Sequence, residues 1–338
     1  MVLNFSCPNC GADMAYDIKR GQLHCDHCDH SEPVTEDKAE WMTGAPSPEE
    51  APKKLACPNC GGVVQAGEKA CAAHCDFCGA PLVLTDRLQG EFRPDKIIPF
   101  TYDQAKAVDI FKKWCHNGMF APKGFTSAKN IRNLKPVYVP YWLYNFTTHV
   151  SLDAEATRVN VFVQGDTEYT ETSFYDVSRD MDLEYDAVPY DASEKMADDV
   201  MQQVLPYKFN EMKPFAMQYL AGFVADQRDY TAEELEPLVK HQISGYAVNQ
   251  VQSTITGYSG VRVNHQQVDY IKEEKSYLYL PLWFISYPYH GKNYFFAMNG
   301  QTGKVVGEPP VSKGKVAGMF AGVSVVIFAV LMLIGGLL

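Results

Sequence analysis

The sequence predicts a composite fold of class small + α+β: two small cysteine-stapled modules, a mixed α+β domain rich in antiparallel strands, and one C-terminal transmembrane helix. Three observations predict it. Four Cys-x-x-Cys pairs occupy the first 80 residues, strand and helix patterns alternate from about 91 to 308, and residues 316–338 carry no charge. With 338 residues and 46% apolar content, the chain is long enough for two or three domains with real cores. Its net charge of −11 excludes a general affinity for nucleic acid or anionic lipid, and acidic chains usually meet other proteins.

The first module spans 1–30 and the second 57–85. One reads Cys7-Pro-Asn-Cys10-Gly and Cys25-Asp-His-Cys28; the other reads Cys57-Pro-Asn-Cys60-Gly and Cys75-Asp-Phe-Cys78-Gly, offset by 50 residues. Each pair sets two thiolates on one tight knuckle, and two knuckles complete a tetrahedral four-cysteine site, so the expectation is two zinc ribbons holding two Zn2+ ions. With four thiolates per ion no position is open to activate water, and modules this short lack the core to fold without metal, which makes the zinc structural. Gly11, Gly61 and Gly79 suit the positive φ that a knuckle needs. Asp29 stands where the fourth glycine would, so that knuckle is expected to be less regular. Cys71, four residues before Cys75, is an alternative ligand, while His24, His27, His30 and His74 read as surface residues. Around the first ribbon Asp13, Asp17, Asp26 and Asp29 outnumber Lys19 and Arg20. Neither ribbon shows the basic stripe with stacking aromatics that phosphate binding requires, which favours protein-binding or structural modules.

Residues 31–56 carry Pro33, Pro46, Pro48 and Pro52 among glutamates and read as a disordered acidic linker that leaves the ribbons mobile. In the α+β domain, 91–308, a first helix is expected from Thr101 with Gln104 as capping box and Val108, Phe111, Trp114 or Cys115 on its apolar face. A second is expected from Asp191 through Met196, Val200 and Val204. A third follows Thr231 and Glu234, with Leu235, Leu238, Ile243 and Ala247 inward. Strands are expected at 136–148, 155–164, 167–177, 180–188, 261–271, 276–289, 293–298 and 304–307. Val137-Tyr-Val-Pro140-Tyr-Trp142 echoes Leu278-Tyr-Leu-Pro281-Leu-Trp283, each after a capped helix, and a diverged duplication is one reading. Asn299-Gly-Gln-Thr-Gly303-Lys304 has hairpin turn chemistry.

A helix over 316–338 reaches roughly 34 Å at about 1.5 Å per residue, enough for a bilayer core of about 30 Å. Lys304, Lys313 and Lys315 precede it, so the expected topology is single-pass, with a C-terminal anchor and the N-terminal domains in the cytoplasm. No signal-peptide pattern opens the sequence, and the thiol content suits a reducing compartment. Gly318 and Gly322 form a small-xxx-small pair, a route to a homo-oligomer.

No phosphate loop, His-Glu-x-x-His, Gly-x-Ser-x-Gly or dinucleotide fingerprint is present, so no catalytic residue is assigned and the chain is expected not to be an enzyme. The Cys-Pro-Asn-Cys-Gly ribbons, the Pro-x-Trp strands, Tyr219-Leu-Ala-Gly222-Phe, the Asn299–Lys304 hairpin and the terminal span together resemble the bacterial TFIIB-type zinc-ribbon-containing membrane proteins, the YdjG-like family. The resemblance implies ligation by Cys7, Cys10, Cys25, Cys28, Cys57, Cys60, Cys75 and Cys78. It also implies adaptor work at the membrane, because members are encoded beside SPFH-domain and phage-shock-type membrane proteins, the partners it suggests. Members also carry a primosomal-helicase label. A nucleic-acid-binding factor tied to replication helicase function is therefore the alternative expectation, although this sequence has no motor motif.

Overall fold

In a computed structural model the chain is described at residues 2–42, 55–64, 66–117, 122, 131, 133–196, 198–289 and 291–335. It divides into two compact units, Met1–Val139 with Glu194–Gln227 and Tyr279–Leu338, and Pro140–Ser193 with Arg228–Leu278. In chain order the strands are β1 (Val2–Leu3), β2 (Ala15–Asp17), β3 (Gln22–His24), β4 (Ser31–Pro33), β5 (Leu55–Ala56), β6 (Val63–Val64), β7 (Ala70–His74), β8 (Pro81–Leu84) and β9 (Lys96–Ile97). Helix α1 (Gln104–Asn117), β10 (Lys135–Gln164), β11 (Thr167–Asp191), α2 (Asp198–Val204), β12 (Lys213–Pro214) and β13 (Val224–Asp226) follow. The chain continues through α3 (Ala232–Gln252), β14 (Gly260–Tyr289), β15 (Lys292–Asn299), β16 (Val305–Val306) and α4 (Lys313–Gly335).

In the first unit β2, β3 and β4 form a sheet of their own, whereas β1-β8-β7-β13 run in series into β10. Its core is aromatic: Phe100 stacks on Phe223 at 4.9 Å and meets Tyr138 and Trp283 edge-on. The ring of Phe296 on β15 receives Phe111 and Trp114 of α1, each at 5.1 Å. That helix is capped by Asp103 rather than by Thr101: the Asp103 carboxylate accepts from Lys106 N at 2.8 Å and its carbonyl from Ala107 N at 2.9 Å. A carboxylate suits a helix N-terminus, and Thr101 N–H is committed to Gly300 O at 2.9 Å. The second helix starts at Asp198, because Asp191 still pairs with Tyr141 at the end of β11.

In the second unit α3 lies on a long antiparallel sheet. Its capping box forms as expected, with Thr231 N donating to Glu234 at 2.7 Å and Glu234 N to Thr231 Oγ1 at 3.3 Å. The buried positions are Ala232 and then Leu235, Val239, Ile243, Ala247 and Val251, the last five at a four-residue repeat. Leu238, expected inward, is 55% exposed. Each strand pair expected on either side of residues 149–154, 178–179 and 272–275 is one continuous strand. On β10, Val150, Leu152 and Ala154 stay buried while His149, Ser151 and Asp153 alternate with them, so the two-residue period never breaks.

The Pro-x-Trp echo has a structural counterpart. Trp142 Nε1 donates to Tyr230 O, just before α3, at 3.0 Å; Trp283 Nε1 donates to Tyr102 O, just before α1, at 2.9 Å. In each unit the helix from one half of the sequence thus meets the tryptophan strand of the other half. Asn299 binds Val204 O and Pro206 O through Nδ2, and Lys304 Nζ binds Leu205 O, so this turn is scaffold.

Residues 31–42, expected as the start of a disordered linker, are built in, whereas 43–54 lie outside the described residues. β4 completes the first ribbon's sheet, Thr35 N donates to Gln218 Oε1 at 2.7 Å, and the buried Asp37 carboxylate holds Arg93 at 2.5 Å and Met217 N at 2.8 Å. The ribbons belong to the same compact unit as much of the α+β domain, and a chain of 338 residues is not small. α4 is long and apolar enough to cross a membrane, with mean hydropathy 2.1 over Lys313–Met332 and none of that stretch buried among the described residues. Its lone hydroxyl after Ser312, Ser324, is satisfied inside the helix by Phe320 O at 2.8 Å. Residues 336–338 of the expected span lie outside the described residues.

Candidate metal centres

The four knuckles share one backbone design. The first cysteine's carbonyl accepts from the residue four on, and its N–H donates to the carbonyl five on. Gly11 N to Cys7 O, Gly61 N to Cys57 O, Gly79 N to Cys75 O and Asp29 N to Cys25 O are 2.8, 2.8, 2.9 and 2.9 Å. Gly11, Gly61 and Gly79 have φ of 74°, 71° and 77°, and Asp29 has 60°. The expected irregularity at Asp29 is therefore absent. Aspartate is among the few side chains that enter the left-handed region, and Arg20 Nη2 holds its carboxylate at 2.8 Å.

This geometry gathers the eight cysteines into two sets, Cys7, Cys10, Cys25, Cys28 and Cys57, Cys60, Cys75, Cys78, with all Sγ atoms of a set within 4.8 Å of one another. The closest pairs are Cys7–Cys28 and Cys10–Cys25, both 3.5 Å, and Cys60–Cys75 at 3.7 Å and Cys57–Cys78 at 3.8 Å. A tetrahedron with metal–sulfur bonds of about 2.3 Å needs edges of about 3.8 Å, so both sets fit an ion. In the second set the backbone N–H of Cys78, then that of Phe77, with the Cys78 and Cys57 thiols, outweigh burial and bring Cys75 down to about 7. Each set buries its first and third cysteines and exposes its second and fourth.

Cys71 takes no part. It is buried against the Arg87 carbonyl, 3.6 Å away, and burial pushes its thiol up to about 12. His24 Nδ1 contacts Ser31 Oγ at 2.9 Å, and among the described residues no histidine joins either set. Beside the exposed Cys60 and Cys78 stand Phe77, 71% exposed, and Val63, 50% exposed; His27 holds the position of Phe77 in the first ribbon.

Sequence reasoning missed the residues that fix the ribbons in place. Asp13 accepts from Asn4 Nδ2 at 2.6 Å and from Asn59 Nδ2 of the second ribbon at 2.9 Å. Tyr16 N donates to Ala221 O at 2.9 Å while its ring meets Tyr219 at 5.1 Å. Gly222, at φ 92°, lets the backbone approach so closely that a Cβ there would lie 3.2 Å from Ala15 Cβ. The Tyr219–Phe223 stretch is thus the seat of the first ribbon. None of these contacts has a local signature, because each joins residues far apart in sequence.

No protein-family model matches the chain, and no solved structure matches it. Among curated proteins it is 45% identical over 324 residues to the "Uncharacterized protein YdjG" of Bacillus subtilis (strain 168), an alignment covering 96% of this chain and 95% of that protein.

Proposed function

The chain belongs to the same family as YdjG, and on that footing we propose that it is a non-catalytic adaptor, held at a membrane by α4, that recruits other proteins through its two zinc ribbons. Zinc is the ion of choice because four thiolates at tetrahedral spacing suit it, and a filled shell gives it a structural task. The observation that carries the reading is Phe77, left 71% exposed next to the exposed Cys78 on a knuckle whose cysteines could hold a metal ion. Exposed aromatics on rigid supports are the usual anchors of protein interfaces. Tethering raises effective concentration, so modest affinity at this knuckle suffices. Lys313 and Lys315 at the start of α4 favour a cytoplasmic location for the preceding residues. By the stated resemblance, the partners are SPFH-domain or phage-shock-type membrane proteins.

The test is affinity capture of the full-length membrane-embedded chain against two variants, Cys57→Ser with Cys60→Ser, and Phe77→Ala. The second keeps the metal and removes only the anchor. Loss of the same captured protein in both variants supports the reading. Capture unchanged by Phe77→Ala removes this knuckle as the docking face, and steeply salt-dependent recovery of nucleic acid in place of protein would favour the helicase-linked alternative.

A further inference from the structure

In the second unit β10 outruns its neighbour on one side. β14 begins at Gly260, where Ser259 N donates to Thr157 O at 2.7 Å and Ser259 Oγ accepts from Val159 N at 3.0 Å. Beyond that point β10 keeps β11 on its other side, in unbroken register from Phe146↔Tyr185 to Gln164↔Thr167. No strand lies on the open side among the described residues. Backbone groups alternate in direction along an antiparallel strand. The N–H and C=O of Val161 and Val163 therefore point the same way as those of Thr157 and Val159, toward the open edge.

Apart from its shortness, this edge, Val159-Asn-Val-Phe-Val-Gln164, carries none of the charges, prolines or bulges that blunt edges in soluble proteins. Val159, Val161, Phe162 and Val163 are 43, 54, 43 and 68% exposed. The acidic residues of the hairpin, Asp166, Glu168 and Glu171, sit in the turn and on β11, away from the open edge.

We infer that this edge is an interface for a second copy of the same chain, two β10 strands pairing antiparallel about a two-fold axis at Val161. That register opposes Val161 to itself and Val159 to Val163, where only the Val159 carbonyl is needed because its N–H already serves Ser259 Oγ. It sets Arg158 against Gln164, so no like charges meet although each chain carries a net −11. An axis at Val159 would demand the Thr157 carbonyl and both Val159 N–H groups, which Ser259 already holds, and one at Val163 would run into the Gly165 turn. The Val-x-Val-x-Val pattern is self-matching under this operation, as an isologous contact requires. So short an edge buries less than the roughly 1,200 Å² of a stable soluble dimer, and the pairing therefore draws on the concentrating effect of the anchor. The inference rests on the membrane reading for that step alone. It deepens the recruitment proposal, because a dimer presents two copies of each knuckle and gains avidity.

The experiment mixes donor- and acceptor-labelled full-length chains, labelled at the α-amine, in phosphatidylcholine vesicles and reads energy transfer above the random-proximity level. The expected result is strong transfer for the unaltered chain and about a tenfold lower dimer fraction for Val161→Lys alone and for Val161→Glu alone, since like charges then face across the axis. Donor Val161→Lys mixed with acceptor Val161→Glu should restore transfer. Two metal ions per chain in both variants certify folding. Transfer at the random level in the unaltered chain, transfer that survives Val161→Lys, or failure of the mixed pair to recover would each overturn the inference. The readout involves neither ligand cysteines nor any captured protein, so its failure is distinct from failure of the recruitment reading.

Discussion

The two ribbons carry the same metal geometry but are joined to the rest of their unit in different ways. The first closes its own sheet, β2-β3-β4, is fastened by a face, through Tyr16 on Tyr219 and Ala221, and reaches the larger sheet through the two-residue β1. The second is woven in. Its β5 and β6 pair with each other, but its β7 pairs with β13 and its β8 with β1, so these two strands are a stretch of the sheet that continues into β10. An ion held by the first set would therefore staple a module seated largely on the unit's face, and one held by the second would staple part of the unit's sheet. Sequence similarity between two metal motifs says little about how much of the fold depends on each.

The comparison breaks most readily on metal removal. Cys57→Ser with Cys60→Ser should lose one of two ions and lower the unfolding free energy of the full chain in detergent by at least about 4 kcal/mol. Cys7→Ser with Cys10→Ser should cost about 2 kcal/mol less, because β2, β3 and β4 end within their own sheet and β1 adds two residues at the edge of the larger one. Metal analysis with urea unfolding followed by tryptophan fluorescence checks both, and the reverse order would refute the distinction. Next in size is Asp37→Ala, which strips a 2% exposed carboxylate from Arg93 and from Met217 N. With Arg93 26% exposed, the cost should be about 2 to 3 kcal/mol, read by the same unfolding curve.

Asp13→Ala sharpens the comparison at the joint between ribbons. It removes the bonds to Asn4 and Asn59 and should cost about 1 kcal/mol, with faster amide exchange in the first ribbon and little change in β7. The smallest effect concerns Asp29→Gly. Relief of the left-handed φ, about 1 kcal/mol, is offset by loss of the exposed Arg20 pair, so stability should stay within about 0.5 kcal/mol by thermal unfolding. Gly11→Ala, with a similar φ and no pair to lose, should destabilise by about 1 kcal/mol.

The eight-cysteine pattern was legible in the sequence because a knuckle is a local object: its spacing fixes its backbone. The Thr231–Glu234 cap and the apolar span of α4 were legible for the same reason. What escaped was the assignment of partners. Residues 31–42 read as linker since their composition is polar, yet one buried carboxylate, Asp37, is enough to pin them to Arg93 and Met217. β13, three residues long, has no pattern of its own and exists because β7 and β10 lie on either side of it. Leu238 and Val239 could not be ranked without knowing which face of α3 meets the sheet. Trp142 and Trp283 each bond the residue before a helix from the other half of the sequence, a pairing that no single-sequence period reveals.

The pairing of β7 with β13 also sets a timetable for synthesis. Cys57 to Cys78 can close on an ion as soon as that segment leaves the ribosome, but Ala72 waits for Ala225, roughly 150 residues later, or some 8 to 30 s at about 5 to 20 residues per second. During that interval β7 is an edge without its neighbour, open to any other strand in reach, and an ion held by Cys57, Cys60, Cys75 and Cys78 would be what keeps it in shape.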